Sequence, residues 1–190
     1  MQMWIFGYGS LMWKTNFPYE KREVGYIKGF IRRFWQGSED HRGVPGAPGR
    51  VVTIIQSSNQ KDQVYGIAYK IAEKDISFVK DYLDYREKDG YQQKTVTFYP
   101  CDEDLKPFNL SIYIGDTNNP FYLGPAPLNV IAKQISKSEG PSGRNDEYLF
   151  QLAETMKKLL PNVYDDHLYE LEALVKEMRE IERNLCVNKI

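Results

Sequence analysis

Three short segments carry residue types that could do chemistry. The first is Phe6-Gly7-Tyr8-Gly9-Ser10-Leu11, which follows the apolar, β-forming run that starts at Met3. A strand that ends in Gly-Tyr-Gly-Ser turns tightly and presents successive backbone N–H groups. Such a concave array suits a carboxylate or a phosphate, and the Ser10 hydroxyl adds a donor. The same residues also read as a plain turn with no ligand. Three sharper motifs do not fit. A dinucleotide fingerprint and a nucleophile elbow both need glycine where Met12 stands, and a phosphate loop needs a Gly-Lys-Ser/Thr that is absent.

The second segment is YLDYREKDGY, Tyr82 to Tyr91. Glu87 stands at a helix end among Tyr82, Tyr85 and Tyr91. A carboxylate held against rings loses water, and its pKa rises toward neutrality. That suits a general base which must later return its proton. Asp84, Arg86, Lys88 and Asp89 flank it, so an ordinary charged helix end is the other reading. The third segment is SGRNDEYL, Ser142 to Leu149, a turn leading into a helix. Its orphan N–H groups and Arg144 could hold an anion, with Tyr148 one turn in; simple helix capping is the alternative. His41 lies in a glycine-proline loop and reads as solvated. His167 reads as surface or packing, and nothing supports a Ser/His or Cys/His nucleophile pair.

The elements that must position these residues follow from periodicity. Met3 to Phe6 reads as a buried strand, and 24–34 as one bent strand with glycines at its corner. Residues 37–50, rich in Gly and Pro, read as a long binding loop or lid. Runs 51–56, 64–71, 94–99 and 109–115 read as strands, with 57–62 a hairpin connection between the first two. Helical spacing covers 73–88, with Ile76, Val79, Tyr82 and Leu83 on one face, then 126–138, 144–160 and 164–184. Strands early and helices late predict an α+β fold, a curved or closed sheet with helices around it.

Composition narrows the function classes. The 190 residues suit a single domain over 1–190, with 42% apolar and 27% charged residues. Lys plus Arg is 25 and Asp plus Glu is 26, a net charge of −1 that argues against a nucleic-acid surface. Two cysteines and two histidines, widely scattered, predict no disulfide framework and no zinc or other metal site. No apolar run is long enough for a membrane span, and the first residues do not read as a secretory signal. A cytosolic protein with reduced thiols is expected. Aromatic residues reach 14%, which fits a ring-lined pocket or a ring-filled core.

Taken together, WIFGYGSLMW, RRFWQGSEDHRGVPGAPGRVVT, YLDYREKDGY, YIG…NPFYLGPAP and GPSGRNDEYL resemble the ChaC family, and its shorter, type 2 branch in particular. The resemblance runs in order from residue 3 to about 175. It implies a γ-glutamylcyclotransferase-like small β-barrel flanked by α-helices. It also implies a cofactor-free lyase that converts reduced glutathione to 5-oxoproline and cysteinylglycine. Glu87 would be the proton acceptor, and Ile5, Phe6, Gly7, Tyr8, Gly9, Ser10 and Leu11 would hold the γ-glutamyl end. Tyr148 would contact substrate. Apart from the resemblance, a further expectation is that the 37–50 loop closes over the Cys-Gly end, with Arg42 or Arg50 meeting the glycine carboxylate. Some members carry a second Glu where Phe78 stands, so a two-carboxylate mechanism is not expected. A monomer or weak dimer without nucleic-acid or membrane partners is expected. The rival reading is a binding module that captures γ-glutamyl or other small anionic ligands without cleaving them.

Overall fold

The computed structural model describes residues 3–86, 91–115 and 118–187. In chain order the elements are β1 (Met3–Gly7), β2 (Lys21–Lys28), β3 (Phe30–Ser38), β4 (Gly49–Gln56), β5 (Gln63–Ile71), α1 (Ile76–Arg86), β6 (Tyr91–Pro100) and β7 (Phe108–Gly115). They continue with α2 (Leu128–Lys137), β8 (Glu139–Gly140), β9 (Gly143–Arg144), α3 (Asn145–Leu159) and α4 (Asp166–Val187). Glu87 lies outside the described residues.

The chain packs as two compact units, Met1–Arg32 with Val52–Tyr122, and Arg33–Val51 with Leu123–Ile190. The first unit is a closed barrel of order β1-β5-β2-β6-β7. β5 runs antiparallel to both β1 and β2, β2 to β6, and β6 to β7. The ring closes where Ile5 of β1 lies beside Ser111 of β7 in parallel. Alternating side chains turn inward, so Ile5, Ile27, Ile67, Phe98 and Ile112 are fully shielded. Rings do much of the filling: Phe98 packs edge-on against Phe6 at 5.7 Å and against Phe108 at 5.2 Å. On α1, Val79 and Leu83 are buried and Ile76 and Tyr82 partly covered, the face its spacing predicts.

In the second unit α2, α3 and α4 pack on one another. Ile131 and Ile135, Leu149 and Leu152, and Leu168, Leu171 and Val175 supply their buried stripes. Glu172 of α4 is buried with them. Burial pushes its carboxyl up, but bonds from Lys157 (2.5 Å) and Lys176 (2.7 Å) outweigh that and leave it below the ordinary carboxylate value.

Three expectations are corrected. Residues 24–34 are not one bent strand. Gly29, at φ +78°, separates β2 from β3, and the two strands join different sheets. Residues 57–62 are not a hairpin between paired strands. β4 pairs with β3, whereas both edges of β5 are taken by β1 and β2. The 37–50 loop is shorter than its composition suggests, because β3 runs to Ser38 and β4 begins at Gly49. The remainder is closed by reciprocal bonds between Val44 and Ala47, of 3.2 and 2.9 Å.

At Gly25 strand β2 lies too close to β6 to admit a side chain. A Cβ there would lie 2.3 Å from the Tyr99 carbonyl oxygen and 2.4 Å from Phe98 Cζ. Both are held in the β2–β6 ladder, so neither moves without cost. Gly25→Ala is expected to lower stability by about 1–3 kcal/mol, read from a shifted denaturation midpoint at an unchanged slope.

Candidate active site

In the barrel unit, β1 delivers the glycine loop. Gly7 still pairs with Ile67 of β5 at the strand's end. A Cβ on Gly7 would fall 2.7 Å from Leu11 Cβ, so the loop folds back on itself only because residue 7 lacks one. Gly9 leads into a short turn, Ser10–Met12, whose first bond runs from the Met12 N–H to the Gly9 carbonyl at 2.9 Å. The Leu11 N–H therefore precedes the turn's own bonds.

Two tyrosines pin this loop. The Tyr8 hydroxyl donates to the Tyr113 carbonyl of β7 at 2.8 Å, and the Tyr69 hydroxyl of β5 donates to the Leu11 carbonyl at 2.7 Å. Burial pushes the Tyr69 phenol up to about 12, so it remains a protonated donor at neutral pH. Ile5, Phe6 and Tyr8 are buried side chains, while Gly9, Ser10 and Leu11 are partly open. The loop can thus meet a ligand through backbone N–H groups and the Ser10 hydroxyl, over a floor of packed rings.

The second unit brings Arg42 and Tyr148 together. The guanidinium lies 6.0 Å from the Tyr148 ring. Its Nη1 donates to the Arg144 carbonyl at 2.8 Å and to Glu147 Oε2 at 3.3 Å. Both bonds leave from one nitrogen of a five-donor group, which keeps capacity for a second carboxylate. Tyr148 is buried, edge-on to Phe34 at 6.1 Å. His41 is exposed and shares a 3.0 Å bond with Ser142, a pairing the sequence did not suggest.

A family profile described as ChaC-like protein matches residues 3–178, which spans both units and every motif above. The chain belongs to the ChaC family. A Danio rerio protein named glutathione-specific gamma-glutamylcyclotransferase 1 is 45% identical over 175 residues, 90% of this chain and 87% of its own length. A Schizosaccharomyces pombe protein named glutathione-specific gamma-glutamylcyclotransferase is 37% identical over 191 residues, 94% of each chain. The crystal structure of a yeast gamma-glutamyl cyclotransferase specific to glutathione superposes with a TM-score of 0.84 at 30% identity, covering 93% of this chain and 96% of that one. The closed barrel with helices is therefore the γ-glutamyl cyclotransferase fold, as the motifs imply.

Several residues of this ChaC chain take roles that spacing did not show. Arg50 does not wait for a substrate. It is buried, with Nε donating to Gln134 Oε1 at 2.6 Å and Nη1 to the carbonyls of Phe34 and Gly124 at 3.0 and 3.3 Å. Asn145, also buried, bonds both backbone groups of Arg50, at 2.7 and 2.8 Å. It thereby acts as an extra rung beside β4. The start of α3 carries no side-chain cap bond, so helix capping is not the purpose of the SGRND segment. A buried Asn at a helix start beside Arg and Asp was the only hint.

His167, read from the sequence as surface or packing, is a packed residue with a specific partner. Its Nε2 accepts the Phe34 N–H at 3.0 Å, and its ring stacks on that of Phe34. Burial, aided by the positive charge of Arg33, brings its pKa from 6.5 to about 4. The unfolded chain thus takes the proton more readily than the folded one. This contribution is complete above pH 6.5 and is lost as pH falls toward 4. The expected cost over that window is on the order of 1–3 kcal/mol. Urea titrations from pH 7 to 4 check it, and His167→Gln should flatten that part of the profile.

Among the described residues no helix is long and apolar enough to cross a membrane. No group of three or more His, Cys, Asp or Glu residues able to hold a metal ion is found among them either.

Proposed function

We propose that this chain cleaves glutathione to 5-oxoproline and cysteinylglycine. The observation that carries this reading is 45% identity over nine-tenths of the chain to a relative with that glutathione-specific name. The continuous ChaC-like match over residues 3–178 supports treating both units as one domain.

In the proposed reaction the backbone N–H groups of Gly7, Tyr8, Gly9, Ser10 and Leu11 hold the α-carboxylate of the γ-glutamyl group, while Ile5 and Phe6 anchor the loop from beneath. Glu87 takes a proton from the α-ammonium. The freed amine attacks the γ-carbonyl of its own residue, a five-membered ring forms, and the C–N bond to cysteine breaks. Glu87 passes its proton to the leaving amine, and the ring nitrogen sheds its second proton as the lactam forms, so the leaving amine departs as an ammonium group. The nucleophile belongs to the substrate and no electrons change hands, so the step calls for no cofactor. Holding the chain in near-attack geometry can contribute about 7–11 kcal/mol. Phe78 is exposed where some members have a second carboxylate, which is consistent with one base. Arg42, with Tyr148 against it, is assigned to the glycine carboxylate.

The exposed free thiol of Cys101 supports a cytosolic protein, and the near-zero net charge supports the absence of a nucleic-acid partner.

Mass spectrometry of purified protein with reduced glutathione tests the reading. 5-Oxoproline and cysteinylglycine are expected, with turnover reduced about 10²–10⁴-fold in Glu87→Gln. Free glutamate would mean hydrolysis. Thermal stabilisation by glutathione without product would mean a binding protein. Arg42→Gln is expected to raise KM for glutathione by about 10–100-fold and to leave kcat nearly unchanged.

A further inference from the structure

We propose that the barrel unit holds a second binding site, for a dianionic phosphate group, away from the glycine loop. A hollow of about 300 Å³ opens there, at the lower edge of the roughly 300–1,000 Å³ range of small-molecule sites. Lys28, Lys94, Gln56 and Gln60 line it, with the rings of Phe30 and Tyr99, and none of its lining residues is acidic. None belongs to the 5–11 segment.

The two ammonium groups are held in place without being neutralised. Lys28 Nζ sits 4.2 Å from the centre of the Tyr99 ring, and that ring stacks on Tyr26 at 5.4 Å. Lys94 Nζ sits 5.6 Å from the Phe30 ring and donates to Gln56 Oε1 at 3.4 Å. A ring face orients a cation and leaves its charge intact. Among the described residues neither lysine meets a carboxylate, whereas Lys21, Lys70, Lys157 and Lys176 each pair with a glutamate. A concentrated positive hollow in a chain of net charge −1 attracts anions.

Charge and donor count select the anion. A carboxylate carries one charge and would leave one ammonium uncompensated. A phosphate monoester carries about −1.5 to −2 at pH 7 and offers three strong acceptor oxygens. Two ammonium groups match that charge. The Gln56 amide accepts from Lys94 through its oxygen, so its NH₂ can add a neutral donor. Lysine binds phosphate as a point charge, which tolerates an open hollow better than a bidentate fork would.

The site is independent of the cleavage reaction, and so is its test. Two-dimensional amide NMR of the full chain is recorded at pH 7.5 and constant ionic strength, with inorganic phosphate, phenyl phosphate or acetate added. Saturable shifts centred on Gly29, Phe30 and Thr97 are expected with both phosphates and not with acetate; the tighter phosphate identifies the free anion or a monoester as the source. Affinity for phenyl phosphate should weaken below about pH 6, where the monoester dianion gains a proton. Lys28→Gln and Lys94→Gln should each weaken binding by about tenfold or more, with spectral dispersion and glutathione turnover unchanged. Non-saturating shifts, equal response to acetate, shifts centred on Gly7 to Leu11, or unaltered affinity in the double variant would overturn the proposal.

Discussion

Strand β1 is paired along both edges, antiparallel to β5 and parallel to β7, and that double pairing governs the rest of the barrel unit. It closes the sheet, which removes free edges. It also sets where the chain leaves the sheet as Gly-Tyr-Gly-Ser. The two flanking strands then hold the loop a second time, through Tyr8 on the Tyr113 carbonyl of β7 and Tyr69 of β5 on the Leu11 carbonyl. Each such bond contributes about 1 kcal/mol net. Their larger effect is geometric. The loop is fastened to the same two strands that define its origin.

The second unit relies on buried polar contacts instead. Arg50, Asn145, His167 and Asp146 are side chains that burial would penalise if left alone. Each is met. Arg50 spans Phe34, Gly124 and Gln134, Asn145 doubles back on Arg50, and His167 receives the Phe34 N–H. Arg144 and Arg179 both bind the Asp146 carboxylate. These contacts tie residues 33–51 to α2, α3 and α4 and set the surroundings of Arg42 and Tyr148. Phe34 is the common member: its carbonyl, N–H and ring meet Arg50, His167 and Tyr148 respectively.

Much of the fold was legible because apolar periodicity reports burial directly. The faces of α1, α3 and α4 were placed by Val79 and Leu83, Leu149 and Leu152, and Leu168 and Leu171, and all six are buried. The glycine loop was legible as well, since few residue pairs other than glycines allow so tight a return. Pairing was not legible. Nothing local distinguishes a β4 that pairs with β5 from one that pairs with β3, because ladder partners are chosen by the whole sheet. Composition overstated the loop only at its ends: β3 takes residues 37–38 and β4 takes 49–50, while 39–48 connect them.

What the sequence alone determined is most of the elements and the α+β class, and it nominated candidate residues for binding a carboxylate or moving a proton. Those follow from local properties: hydrophobic spacing, glycine at close approaches, charge type, and five ordered blocks of one family. The tertiary structure decided which arginine is built into the fold. Arg42 and Arg50 look alike in RGVPGAPGR, yet one keeps spare donors beside Tyr148 while the other is consumed inside the fold. It also decided that His167 is a buried neutral acceptor and that Tyr8 and Tyr69 brace the loop. Those roles depend on partners 58 to 133 residues away in sequence, and no local pattern records a contact over that distance.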